Sequence, residues 1–90
     1  MRIEDHELFL RQLADLSKSH PAITAHINGL KHQLEREGII GHRIAKEGNR
    51  YAVKVASGTL TIKVWVEYLY FKDEDKIQFI DIFVPYDQEP

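Results

Sequence analysis

YAVKVASGTLTIKVWVEYLYFKDEDKIQFIDIFV, residues 51–84, reads as β-structure almost without interruption. Two breaks divide it, Ser57-Gly58 and Lys72-Asp73-Glu74-Asp75. Tyr51, Val53 and Val55 alternate with Ala52, Lys54 and Ala56, the period-two signature of a half-buried strand. Beyond the Ser57-Gly58 hairpin turn, Ile62, Val64, Val66, Tyr68 and Tyr70 fall on one face. Lys63, Trp65, Glu67, Leu69 and Phe71 fall on the other. A straight strand from Thr59 to Phe71 would be about 43 Å long at ~3.3 Å per residue, so a bulge or strong twist is expected in it. The last strand, Lys76 to Val84, is apolar on both sides, with Phe79 and Phe83 on one and Ile80, Ile82 and Val84 on the other. Such a strand is covered on both faces. Pro85 ends the ladder by removing a backbone donor.

Upstream the period changes from two to that of a helix. Phe9, Leu13 and Leu16 recur at helical spacing behind Asp5, whose carboxylate is suited to cap a first turn. Ser19-His20-Pro21 closes this helix, because the residue before a proline avoids the α region. The same tripeptide opens the next helix, with Ser19 or His20 as cap and Pro21 in the first turn. Ile23, Ile27, Leu30 and Leu34 then form a single apolar stripe. Gly38 is placed to end that helix, since glycine takes positive φ without penalty. A short strand is expected from His42 to Ala45, followed by a turn at residues 46–49. Two helices joined by a short linker pack antiparallel. The whole is one α+β domain spanning residues 1–90. An antiparallel helix pair lies on one face of a three- to four-stranded antiparallel sheet.

Composition narrows the function classes. The chain has 90 residues, 43% hydrophobic and 29% charged. Such a length makes one domain with a thin core. It has no cysteine, hence no disulfide framework, thiolate metal site or cysteine nucleophile. No apolar run approaches the ~18 residues that span a membrane. MRIEDHELFL is acidic where a signal peptide is basic, so the expected location is the cytoplasm. Fourteen acidic residues outnumber twelve basic ones, giving a net charge of −2. Global charge therefore lends nothing to nucleic-acid binding, which then rests on a local basic patch. Gly38 and Gly41 lack the spacing and the Lys-Ser/Thr of a phosphate loop. His26 and His32 lie on different faces of their helix, so they do not form a zinc pair. No cofactor is expected.

The C-terminal stretch VEYLYFKDEDKIQFIDIFVPYDQEP, Val66 to Pro90, resembles the last hairpin of the RelE/ParE toxin superfamily, in particular its HigB-like branch. Tyr68-Leu69-Tyr70-Phe71 is similar to the aromatic strand, Asp73-Glu74-Asp75 to the acidic turn, and Phe83-Val84 with Asp87-Gln88 to the end. The order of elements extends the resemblance over nearly the whole chain; the residue-level similarity covers its last quarter. The resemblance implies a RelE/ParE-like domain acting as the toxin component of a bacterial type II toxin–antitoxin pair. Its partner would be an antitoxin protein, and its activity ribosome-dependent mRNA cleavage, as a metal-independent endoribonuclease or mRNA interferase. The chain departs from that pattern at three points. Val66 stands where the family often has an arginine. Pro85 and Tyr86 stand where it often has lysines. Only Arg2-Ile3 precede the first helix, where the family has an initial strand. The alternative is a catalytically inactive relative that binds a protein partner or forms a homodimer.

Metal-free RNA cleavage needs a base for the 2′-hydroxyl, an acid for the leaving oxygen and cations for developing phosphate charge. His42, Arg43, Lys54, Lys63, Tyr70 and Tyr86 are the side chains of the right kind. His42-Arg43 leads, because both lie at a sheet edge after a glycine-rich turn and imidazole titrates near neutrality. Arg43 and Lys54 would hold phosphate, being cationic at all relevant pH values, and Tyr86 is the further catalytic candidate. The competing reading of the edge residues is a charged strand border that blocks aggregation. Trp65, Tyr68 and Tyr70 are able to stack on bases, although such rings more commonly fill cores or interfaces. Trp65 faces away from the Ile/Val stripe, which points to a homo-oligomer or partner contact through the sheet near it. Asp81, between Ile80 and Ile82, is expected either to pair with a cation such as Lys63, to face solvent, or to act as an acid in a pocket.

Overall fold

The computed structural model describes residues 1–44, 48–56 and 62–84. In chain order the elements are β1 (Arg2–Asp5), α1 (Glu7–Ser19), α2 (Ile23–Glu37), β2 (His42–Arg43), β3 (Arg50–Val55), β4 (Val64–Phe71) and β5 (Lys76–Phe83). The expected α+β class holds, but the sheet has five strands and is mixed. Its order is β1-β5-β4-β3-β2. The strands β2 to β5 form an antiparallel meander, and β1 lies parallel to β5. Four residues with one apolar side chain carry no readable period, so β1 is invisible to pattern. It forms because Ile3 pairs with Ile77 beside the core and the Arg2 N–H donates to the Asp75 carbonyl at 2.9 Å.

Helix α1 begins one residue later than Asp5 suggests. Its cap is His6, whose Nδ1 accepts from the Leu8 N–H at 3.1 Å. Asp5 belongs to β1 and accepts instead from Lys31 Nζ of α2 at 2.8 Å. That bond ties the first strand to the second helix. Phe9 is fully buried and meets Phe79 edge-on, with centroids 5.2 Å apart. In α2, Ile23, Ile27, Leu30 and Leu34 are the buried residues, as their spacing requires. Neither Ser19 nor His20 caps this helix; the cap position falls on Ala22, which makes no side-chain cap bond.

A bulge decides which side chains of β5 enter the core. Tyr68 pairs with Phe79, while the adjacent Glu67 pairs with Asp81. Ile80 is therefore the extra residue, and the inward phase of β5 shifts there. Ile77 and Phe79 point inward before the bulge and Ile82 after it, all three buried. This corrects the sequence assignment of Phe79 and Ile82 to opposite faces, and it relocates the expected bulge from β4 to its partner strand. Apolar residues on both sides of β5 come from a phase slip rather than from double coverage. The chain of β1 has turned into α1 by this point, and Gln12 Oε1 takes its place by accepting from the Ile82 N–H at 3.1 Å.

The crossing from α2 to β2 is anchored from below. Gly38 ends the helix at φ 84°. The Tyr68 hydroxyl, on a fully buried ring of the central strand, donates to the Ile40 carbonyl. The Ile40 N–H in turn approaches that hydroxyl at 3.3 Å. Gly41 has φ 95°, and a Cβ there would lie 2.4 Å from the Ala52 carbonyl oxygen. Only glycine brings the chain this close to β3, where β2 then starts.

Candidate functional site

Both helices cover the face of Val64, Val66 and Tyr68. The opposite face carries no helix or strand among the described residues. Side chains directly opposed in a ladder share a face, so register maps this surface. One row runs His42, Ala52, Glu67, Asp81 across four strands. The next runs Lys54, Trp65, Phe83. On the other side lies a row of Arg50, Leu69, Gln78 and Glu4. Lys63, one residue before β4, falls by alternation on the side of Trp65. The indole is half-buried, flanked by Lys54 across the ladder and followed along β4 by Glu67.

Three of the expected site residues, His42, Lys54 and Lys63, thus share the helix-free face. All three are exposed. None makes a side-chain hydrogen bond or ion pair among the described residues. The structure separates the other two that it describes. Arg43 is opposite Tyr51 and Tyr70 opposite Ile77, both on the helix side. His42 and Arg43, neighbours in one strand, thus point to opposite faces of the sheet. Tyr86 lies outside the described residues. Across the sheet, His42 is separated from Glu67 by Ala52, whose small side chain is buried between longer neighbours.

The acidic side of this face is partly neutralised. Arg50 Nε donates to Glu67 Oε2 at 2.8 Å, and its Nη2 bonds the same oxygen. Asp81 stands directly opposite Glu67 and makes no ion pair among the described residues. It does not pair with Lys63, which lies before the start of β4, well along the strand from Asp81's direct opposite, Glu67. Asp81 lines a small pocket of about 270 Å³ with His6, Leu8, Arg50 and Ile80. Arg50 had no signal in sequence: it precedes the alternating run, and its partner is two positions off its direct opposite. Asp81 had one, since the apolar phase breaks between Phe79 and Ile82.

Among the described residues, Tyr68 is the titratable side chain that the fold visibly retunes. Burial pushes its phenol up from 10.0 to about 12, against the opposing bond to Ile40, and the neighbouring Tyr51 adds to the rise. Tyr51 stacks on it at 5.5 Å and 11°. This hydroxyl faces the helix side and serves the fold. Among the described residues no three His, Asp or Glu side chains gather closely enough to hold a metal ion. No helix among them is long and apolar enough to cross a membrane.

No family model matches the chain, and no curated protein matches it. The fold is an α+β domain with two helices on one side of a five-stranded mixed sheet.

Proposed function

We propose that this chain is a RelE/ParE-like toxin component of a bacterial type II toxin–antitoxin pair, and that it acts on RNA through the helix-free sheet face. The observation that carries the reading is that His42, Lys54 and Lys63 share one face of the sheet with Trp65. At the level of fold, support comes from the strand β1, which supplies the initial strand that the resemblance calls for. In this reading Trp65 stacks on a base and the lysines hold adjoining phosphates. His42 exchanges the proton of the 2′-hydroxyl. Cleavage on the ribosome and neutralisation by an antitoxin follow from the resemblance.

The test uses the chain's single tryptophan. Titration with oligo-uridine quenches Trp65 fluorescence if bases stack there. The logarithm of affinity then falls with that of salt by ~0.7 for each phosphate held. Lys54→Ala and Lys63→Ala each lower that slope. Induced expression in a bacterial host arrests growth and lowers intact mRNA.

A second reading has its own observation. Trp65, Leu69 and Phe71 are half-buried on a face without a helix, and Phe83 is 36% exposed there. Glu67 and Asp81 share the face and repel phosphate. A catalytically inactive module that binds a protein or a second copy uses such a surface. Absent quenching and absent growth arrest, with a dimer in sedimentation, would decide for it.

A further inference from the structure

The strand β3 is longer than its edge partner. β2 pairs only His42 with Ala52 and Arg43 with Tyr51. The Ile44 N–H donates to the Arg50 carbonyl at 2.8 Å, so residues 50, 52 and 54 turn their backbone groups toward that edge. At Lys54 the edge has no strand beside it, and its outward N–H and C=O meet no partner among the described residues. Next to it lies a groove of about 460 Å³, lined by Ala25, Gly29 and Gln33 of α2, by Val53 and Val55 of β3, and by Ile40 of the crossing. No acidic residue lines it.

Gly29 is the second observation. It sits in the interior of α2, with nothing within 4 Å of the position that a Cβ would take. An interior helical glycine costs about 1 kcal/mol against alanine. Neither backbone strain nor crowding within the chain accounts for it. Close approach of another backbone along the groove does.

We infer that the groove between α2 and the edge of β3 at Lys54 receives an extended strand from a partner polypeptide, which alternates acidic with small apolar residues. The backbone of that strand bonds the Lys54 N–H and C=O, the usual mode of strand addition. A residue opposite Lys54 shares its face, where the ammonium, without an ion pair among the described residues, selects a carboxylate. Its neighbours point between Val53, Val55 and the helix, where Gly29 admits only small apolar side chains. This inference stands apart from the RNA reading, since Gly29 is on the helix side of the sheet.

The test is a short fluorescein-labelled peptide of alternating glutamate and valine, titrated against the whole chain. A version N-methylated on alternate amides keeps the side chains and removes the backbone donors. Gly29→Leu puts a side chain into the groove, its Cβ has nothing within 4 Å, and it improves helix propensity. The plain peptide binds and slows hydrogen exchange of the Lys54 amide. N-methylation and Gly29→Leu each weaken binding about tenfold, the scale of one or two backbone hydrogen bonds. Oligo-uridine quenching of Trp65 is unchanged in Gly29→Leu, so a failed RNA reading and a failed groove are told apart. No binding at about 1 mM peptide overturns the inference. Equal binding of the N-methylated peptide overturns it too, as does equal binding to Gly29→Leu. A concentration-dependent dimer abolished by Gly29→Leu assigns the groove to a second copy instead.

Discussion

The Tyr68 hydroxyl donates to the Ile40 carbonyl, joining the central strand to the segment that carries the chain from α2 into β2. The ring is fully buried against Tyr51 and Phe79, so this polar tip finds its partner in the crossing backbone rather than in water. Everything on the β2 edge, including His42, hangs from a crossing held at this point. Tyr68→Phe keeps the ring and removes the bond. It leaves the Ile40 carbonyl short of its donor, and we expect a loss of ~1–3 kcal/mol in denaturant unfolding. The amides of His42 and Arg43 should exchange faster in the variant than those of β4 and β5. Uniform acceleration across all strands would mean that the bond serves global stability alone.

The same hydroxyl sets an alkaline limit. The fold holds Tyr68 as the neutral phenol and raises its pKa from 10.0 to about 12. A raised folded value means that the contribution is complete below pH 10 and is lost as pH climbs toward 12. Wild-type stability should therefore fall through that window, while the Tyr68→Phe variant shows a shallower decline. Parallel curves for the two proteins would remove Tyr68 as the cause.

Two leucines of α2 separate burial from mere periodicity. Leu34 is fully buried, whereas Leu30 retains 6% exposure and borders the groove beside β3. A leucine-to-alanine change in a core costs ~2–5 kcal/mol, depending on how well the site collapses. Leu34→Ala belongs near the upper end and Leu30→Ala near the lower. Equal losses in urea unfolding would indicate that the groove wall is as tightly packed as the core.

The bulge at Ile80 gives an unusual deletion test. Removing one residue from a strand ordinarily turns every later side chain to the other face. Without Ile80, however, Phe79 still meets Tyr68 and Asp81 still meets Glu67, now in a regular ladder. Ile82 stays inward. Deletion of Ile80 should fold, whereas deletion of Gln78 displaces either Ile77 or Phe79 from the core and costs at least ~3–5 kcal/mol. If the two deletions cost the same by circular dichroism melting, the bulge is misplaced.

What was legible in the sequence follows from how far each signal repeats. The stripe of α2 and the alternation of β3 and β4 repeat three or more times, so their faces could be read directly. Strand β1 does not repeat at all, and its pairing with β5 depends on contacts more than seventy residues away. His6 displaced Asp5 as cap because Asp5 was drawn into that same strand. In β5 the inserted Ile80 reads as two-sided apolarity, and only the partner register reveals a phase slip. Of the candidate site, His42, Lys54, Lys63 and Trp65 were named from residue type and alternation. Their common face needed the register of β2 on β3, which a two-residue strand does not announce.

That register separates His42 from its neighbour in a way that activity can read. His42 is opposite Ala52 and shares the face of Lys54 and Trp65; Arg43 is opposite Tyr51 and turns to the helix side. If the chain cleaves RNA on the helix-free face, His42→Ala removes a proton-transfer group and costs ~100- to 10,000-fold in rate. Arg43→Ala, pointing away, should cost less than about tenfold, the change that 1.4 kcal/mol gives. Growth arrest on induced expression is therefore relieved by the first variant and retained by the second. Relief by Arg43→Ala alone would place the active surface at the sheet edge rather than on the face. Full toxicity in His42→Ala would take the histidine out of the chemistry and leave Lys54 and Lys63 with the phosphate.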